Sequence, residues 1–182
     1  MMRGIKELTY PFHYAVTATT RPRRRGEKDG EDYHFLSNTE FERMKAQGEL
    51  LEWAEVYGQW YGVPRSQVEQ PLSQKQDVIL RVDVQGAVTL KHLFPEAVLI
   101  FLAPPSTREL TQRLKKRNTE SRADFELRLK TAQREMESLP LFDYVVVNHE
   151  GEVESAVSQI NAIITAEKCR VTPRLKESAS NL

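Results

Sequence analysis

Short apolar runs that alternate with helical stretches constrain this chain more than any other feature. The runs are Val78-Ile79-Leu80-Arg81-Val82, Ala97-Val98-Leu99-Ile100-Phe101-Leu102 and Tyr144-Val145-Val146-Val147. Each has strand length and little polar alternation, which fits strands buried on both faces. Strands joined through helices run parallel, so the pattern predicts an α/β fold with a parallel sheet covered by helices on both faces. His13 to Thr19, rich in β-branched residues, is predicted as a strand preceding them.

The connecting segments carry their own signals. Ser37-Asn38-Thr39-Glu40 reads as a capping box that opens a helix ending near Gly48. Tyr33 to Leu36 is predicted as a short strand. Leu50 to Tyr61, broken by Gly58, is predicted as two more strands joined by a turn, so 33–62 forms a small antiparallel-looking insertion. Further helices are predicted over Arg65 to Gln74, up to His92, after Pro104-Pro105 with Ser106 and Glu109 as caps, over Ala123 to Leu139, and over Val153 to Glu167. Residues 115–122 read as a charged turn, and residues 1–9 as the last turns of a helix stopped by Pro11. The tail from Arg170 is polar, and the 182 residues fit one domain.

Composition removes several function classes. The 26 basic and 26 acidic residues cancel, which argues against a nucleic-acid or acidic-membrane binder. The single cysteine, Cys169, excludes an internal disulfide, and His13, His34, His92 and His149 show no metal-ligand spacing. No apolar run approaches the roughly 20 residues that span a bilayer, and the start has no secretory core. The expectation is a soluble, cytoplasmic protein of undetermined oligomeric state.

In an open parallel sheet, ligands lie beyond the carboxyl ends of the strands. Three such ends carry polar residues: Thr17 to Arg21, Asp83-Val84-Gln85-Gly86, and Asn148. Arg21, Arg23, Arg24 and Arg25 fall within five positions. Guanidinium forks match phosphate oxygens two at a time, so the cluster points to a phosphate; a solvated basic turn is the alternative.

Six blocks decide between them. They are Thr17-Ala18-Thr19-Thr20-Arg21-Pro22-Arg23-Arg24-Arg25-Gly26-Glu27-Lys28-Asp29-Gly30-Glu31-Asp32-Tyr33, Gly48-Glu49-Leu50-Leu51-Glu52-Trp53-Ala54, Tyr61-Gly62-Val63-Pro64, Val82-Asp83-Val84-Gln85-Gly86-Ala87, Pro104-Pro105-Ser106 and Tyr144-Val145-Val146-Val147-Asn148. In this order and spacing, from about residue 12 to residue 168, the chain resembles the guanylate kinase family. The resemblance implies a nucleoside-monophosphate-kinase fold with a small mixed-strand GMP-binding insertion (about 33–63), a helical lid (about 113–128) and a polar tail (170–182). It implies that Arg21, Arg24, Tyr33 and Tyr61 hold the GMP phosphate, that Glu52 faces the guanine edge, and that Thr17 bonds near the base oxygen. Guanine presents an N1–H and an amino group side by side, and one carboxylate accepts both; adenine has no such pair. On the ATP side the resemblance implies that Arg113, Arg117 and Arg128 neutralise the transferring phosphoryl group, with Asn148 near the ATP loops. Mg2+ would arrive with ATP rather than on a direct protein ligand. Asp83 keeps two readings, a residue near base and magnesium or a helix cap. Tyr33 and Tyr61 packing the small sheet, and Arg113 in a salt-bridged helix surface, are the structural alternatives.

The sequence departs from the family in three places. No G-x-x-x-x-G-K-[ST] motif occurs in it, and that loop cradles ATP phosphates in phosphoryl-transfer enzymes. The expectation is therefore a fold lacking the first strand and phosphate loop, from a displaced start or a variant that binds GMP and transfers poorly. Val63 stands where the family usually has a hydroxyl, and Arg81 where an acidic residue is common. The rival reading is a non-catalytic guanylate-kinase-like module that binds a phosphorylated peptide or a nucleotide.

Overall fold

A computed structural model describes residues 12–116, 122–172 and 174. The predicted helix over residues 1–9, and Arg117, lie outside them. The chain divides into two compact units, one over Thr9–Phe94 and one from Pro95 onward.

In the first unit, β1 (His13–Tyr14) pairs in parallel with β6 (Val78–Ile79). A four-stranded mixed sheet has the order β3-β2-β5-β4, formed by β2 (Ala18–Thr19), β3 (His34–Phe35), β4 (Leu50–Val56) and β5 (Gln59–Pro64). The single strand predicted over His13 to Thr19 is therefore two. After Tyr14 the chain leaves one ladder for another, and the Val16 N–H donates to the Gln67 Oε1 at 3.1 Å instead of to a strand. The apolar run Val78 to Val82 likewise pairs over only two residues and is half-buried, which corrects the expectation of a long buried strand.

Local signals set the rest of this unit. Ser37 caps α1 (Asn38–Ala46): its Oγ accepts from the Glu40 N–H, and the Glu40 carboxylate accepts from the Ser37 N–H. Tyr57 and Gly58 both hold positive φ (53° and 72°) between Val56 and Gln59, the geometry of a tight two-residue hairpin turn. Helix α2 (Ser66–Ser73) follows, then α3 (Val84–Leu93), which opens at Asp83. One cluster, Ala18, Phe41 and Leu50, seats α1 against the mixed sheet; another, Leu51, Val63, Val68 and Leu90, seats α2 and α3.

In the second unit, β7 (Ile100–Ala103) pairs in parallel with β8 (Tyr144–Val147) over four residues. The Asp143 Oδ2 accepts from the Leu99 N–H at 2.8 Å, fixing how the two strands enter their ladder. Helices α4 (Thr107–Lys116), α5 (Arg122–Glu137) and α6 (Val153–Lys168) alternate with these strands along the chain, and Ser106 Oγ caps α4 by accepting from the Glu109 N–H. Ala156, Val157 and Ile160, one helical face, are buried along α6. Arg174 binds Asp143 at 2.7 Å and Glu167 at 2.6 Å.

Candidate functional site

Alternation along the hairpin sorts the predicted site residues onto one face of the mixed sheet. Glu52 pairs with Val63, Ala54 with Tyr61, and Thr19 with both Tyr61 and Phe35, so these side chains share a face. Trp53, Gly62 and Trp60 take the other face. There α1 lies: the Phe41 and Trp60 rings stack at 6.0 Å, and Lys45 Nζ sits 4.3 Å from the Trp60 centroid. Helix α1 occupies one side of the sheet, and the side holding Glu52 and Tyr61 gathers the polar and aromatic groups.

An aromatic and cationic cluster stands on that second face. The Tyr33 ring meets Tyr61 edge-on at 6.0 Å and lies 5.8 Å from Phe35. The Arg21 guanidinium sits 5.4 Å from the Tyr33 centroid and 5.7 Å from that of Phe35. Its Nη2 donates to Glu27 Oε1 at 2.8 Å, and Glu27 Oε2 accepts from the Arg24 N–H at 2.7 Å. Glu27 thus ties the arginine loop to itself. Burial pushes the Glu27 carboxyl up, but hydrogen bonds from Arg21 and the Arg24 backbone outweigh it and hold it below the usual range. The Arg24 side chain is exposed.

Glu52 differs from every other carboxylate described. It is 6 % exposed, and among the described residues no hydrogen-bond donor meets its carboxylate. Burial, and then the negative charge of Asp83, push its pKa up to about 7. Thr17 is also buried, and its backbone carbonyl accepts from the His34 N–H at 2.9 Å. Asp83 caps α3, its Oδ1 accepting from the Gly86 N–H at 2.8 Å. That is one of its two sequence readings, and its proximity to Glu52 leaves the other in play.

Sequence reasoning missed two members of this cluster. Glu27, inside the arginine loop, carries no mark in the sequence beyond its spacing from Arg21. Arg81, a departure from the family pattern, has its guanidinium 4.7 Å from the Tyr33 centroid, a second cation on the same ring. A lone arginine in an otherwise apolar run was the signal available.

In the second unit, the predicted lid arginine Arg113 is held by its neighbours. Its Nη2 donates to the Glu109 carboxylate one turn back on α4 and to the Asn148 carbonyl at 2.6 Å. The ion pair is therefore with Glu109, in keeping with a salt-bridged helix surface. Arg128 is half-buried on α5, and Arg117 lies outside the described residues. The Asn148 Oδ1 is buried and meets no donor among the described residues. A buried acceptor without a partner is costly unless a ligand supplies the donor.

Paired parallel strands alternating with helices, together with a mixed-strand insertion, define an α/β protein of the nucleoside-monophosphate-kinase type. The comparisons narrow this. The guanylate kinase family model matches residues 4–167, and the chain belongs to that family. A guanylate kinase of Desulfitobacterium hafniense is 50% identical over 158 residues, covering 87% of this chain and 78% of the relative. One of Bacillus subtilis is 47% identical over 169 residues, covering 91% and 82%. The crystal structure of a guanylate kinase from Anaplasma phagocytophilum superposes with a TM-score of 0.79 at 34% identity, covering 96% of this chain and 84% of that one. The family is one of phosphotransferases. Among the described residues no helix is long and apolar enough to cross a membrane.

Proposed function

We propose that the chain recognises GMP on the Glu52 face of its mixed sheet, and that its reaction is transfer of the γ-phosphoryl group of Mg-ATP to GMP in the cytoplasm, yielding GDP and ADP. The observation that carries this reading is the buried Glu52 carboxylate, which meets no donor among the described residues on the face that holds Arg21, Tyr33 and Tyr61. A carboxylate left without donors is costly to bury unless a ligand supplies them. The guanine N1–H and amino group supply two at once, and adenine supplies none in that geometry. Arg21 and Arg24 are charged forks for the 5′-phosphate, and the Tyr33 and Tyr61 hydroxyls are further donors to it.

In the reaction a GMP phosphate oxygen attacks the γ-phosphorus in line and ADP leaves, with no covalent intermediate on the protein. The chain's part is to position GMP and to neutralise charge, a role we assign to Arg113, Arg117 and Arg128 on the donor side, with Asn148 receiving the adenine. Mg2+ brought in with ATP would offset charge on the nucleotide phosphates, with no direct protein ligand assigned to it.

A polypeptide of these 182 residues alone contains no G-x-x-x-x-G-K-[ST] sequence. We propose that it binds GMP yet transfers phosphoryl slowly, because the backbone cradle for the ATP phosphates is not part of it. Calorimetric titration with GMP, AMP and a phosphotyrosyl peptide, beside a GDP-forming assay, tests both statements. GMP should bind in preference to the other two, and Glu52→Gln should erase the preference over AMP. Equal binding of GMP and AMP by the parent chain would end the reading, and turnover at an ordinary kinase rate would end the claim about transfer.

A further inference from the structure

Gly86 lies in the first turn of α3, beneath the Glu52 carboxylate. A Cβ built on it would stand 2.8 Å from Glu52 Oε2, 2.9 Å from Cδ and 3.1 Å from Oε1, whereas ordinary contact begins at 3.4 Å. All three atoms of the group's end rest on the missing side chain. We infer that Gly86 is a specificity-determining positioning residue: its bare Cα is the seat on which the Glu52 carboxylate is held in register for the guanine edge. This rests on the reading that Glu52 receives guanine.

Two contacts decide which partner yields when a methyl group is added. The helix turn is pinned, because the Gly86 N–H donates to the Asp83 cap and the Ala87 N–H to the Asp83 carbonyl, at 2.8 and 2.9 Å. Backbone held in this way moves less readily than the far end of a glutamate. The carboxylate therefore moves, by roughly half an ångström or more. For stability the change is mild, since Gly86 does not hold the left-handed φ that strains other residues, and alanine is the better helix former. For recognition it is severe, because two parallel hydrogen bonds lose length and angle together. Gly62 makes a useful contrast: a Cβ there would meet Phe41, Leu50 and the Glu52 carbonyl, which is core packing and backbone. Substitution at Gly62 threatens the fold, and substitution at Gly86 threatens selectivity.

The test uses the full chain, calorimetry, and GMP, IMP and ribose 5-phosphate as probes; IMP lacks the guanine amino group, and ribose 5-phosphate has no base. Gly86→Ala should keep its melting temperature, lose GMP affinity on the order of tenfold to a hundredfold, compress the GMP-over-IMP ratio, and leave ribose 5-phosphate binding unchanged. Glu52→Asp, one methylene shorter, should restore part of that ratio when combined with Gly86→Ala, although alone it lowers it. Unchanged GMP affinity in Gly86→Ala, while Glu52→Gln abolishes guanine preference, would overturn the inference and leave the proposed function standing. Equal losses for GMP and ribose 5-phosphate, or failure of Glu52→Asp to restore any of the ratio, would also overturn it. A Glu52→Gln protein that still prefers GMP would instead remove the reading beneath it.

Discussion

Two carboxylates of this protein share a chemistry and sit at opposite extremes. Glu52, in the first unit, is enclosed without a donor and is pushed up to about 7 by burial and by Asp83. Glu167, at the end of α6 in the second unit, is pulled down to about 2, chiefly by hydrogen bonding to Arg174. There Arg174 donates to both carboxylate oxygens at 2.6 and 3.0 Å, the Tyr144 hydroxyl donates at 2.5 Å, and Arg170 lies 3.7 Å away. Asp143, which also receives Arg174, closes the network and ties Arg174 to the entrance of β8. The lesson is that satisfaction separates a clamp from a binding site. Glu167 has all its partners inside the chain and needs nothing further. Glu52 has none among the described residues, so the folded protein bears an uncompensated group that a ligand can relieve.

The sharpest way to break this comparison is the pH dependence of GMP affinity. Guanine donors favour the ionised carboxylate, so GMP must displace the proton that free Glu52 holds below about 7. Affinity should rise with pH up to that value and then level off, with about a 100-fold difference between pH 5 and pH 8. The GMP phosphate also ionises in this range. The part of the slope that disappears in Glu52→Gln, measured by calorimetry, is the share of Glu52. A slope unaltered by the substitution would show that the carboxylate does not meet the base.

A smaller effect is expected at the phosphate end. Arg21→Ala removes a charged fork beside Tyr33 and should weaken GMP binding by about 2 kcal/mol, or roughly 30-fold. Arg21→Lys should recover little of that, because an ammonium replaces neither the bidentate geometry nor the stacking on Tyr33. Ribose 5-phosphate should lose affinity in step with GMP, which distinguishes a phosphate contact from a base contact.

The mildest effects are on stability, and they have opposite signs. The raised pKa of Glu52 means that the folded protein keeps a proton the unfolded chain releases, so this group lowers stability as pH rises from 4.5 through about 7. Glu52→Gln should therefore stabilise the protein at pH 8 by on the order of 1–2 kcal/mol, with little change near pH 4. The depressed pKa of Glu167 contributes stability that is present above 4.5 and lost as pH falls toward 2. Glu167→Gln should lower stability at pH 7 by about 1 kcal/mol and leave GMP binding unchanged. Melting curves of both variants across pH check this, and slopes of the same sign would dissolve the distinction between the two carboxylates.

What the sequence determined by itself was whatever depends on near neighbours. The capping box at Ser37 and Glu40, the turn at Gly58 and the apolar face of α6 each need only a few adjacent residues, and each formed where the pattern predicted. Period-two alternation already contained the fact that Glu52 and Ala54 share a face, and the family blocks supplied the names of the candidate residues. Tertiary structure alone decided their environments. Val16 leaves its ladder for Gln67, 51 residues away. Arg113 chooses Glu109 and the Asn148 carbonyl, and Arg81 turns out to face Tyr33. Most of all, Glu52 becomes a buried, proton-holding group through its enclosure in the fold and the charge of Asp83, with Gly86 of α3 packed against its carboxylate. Burial and charge coupling are properties of distance in space, and separation along the chain leaves that distance open until the fold has closed.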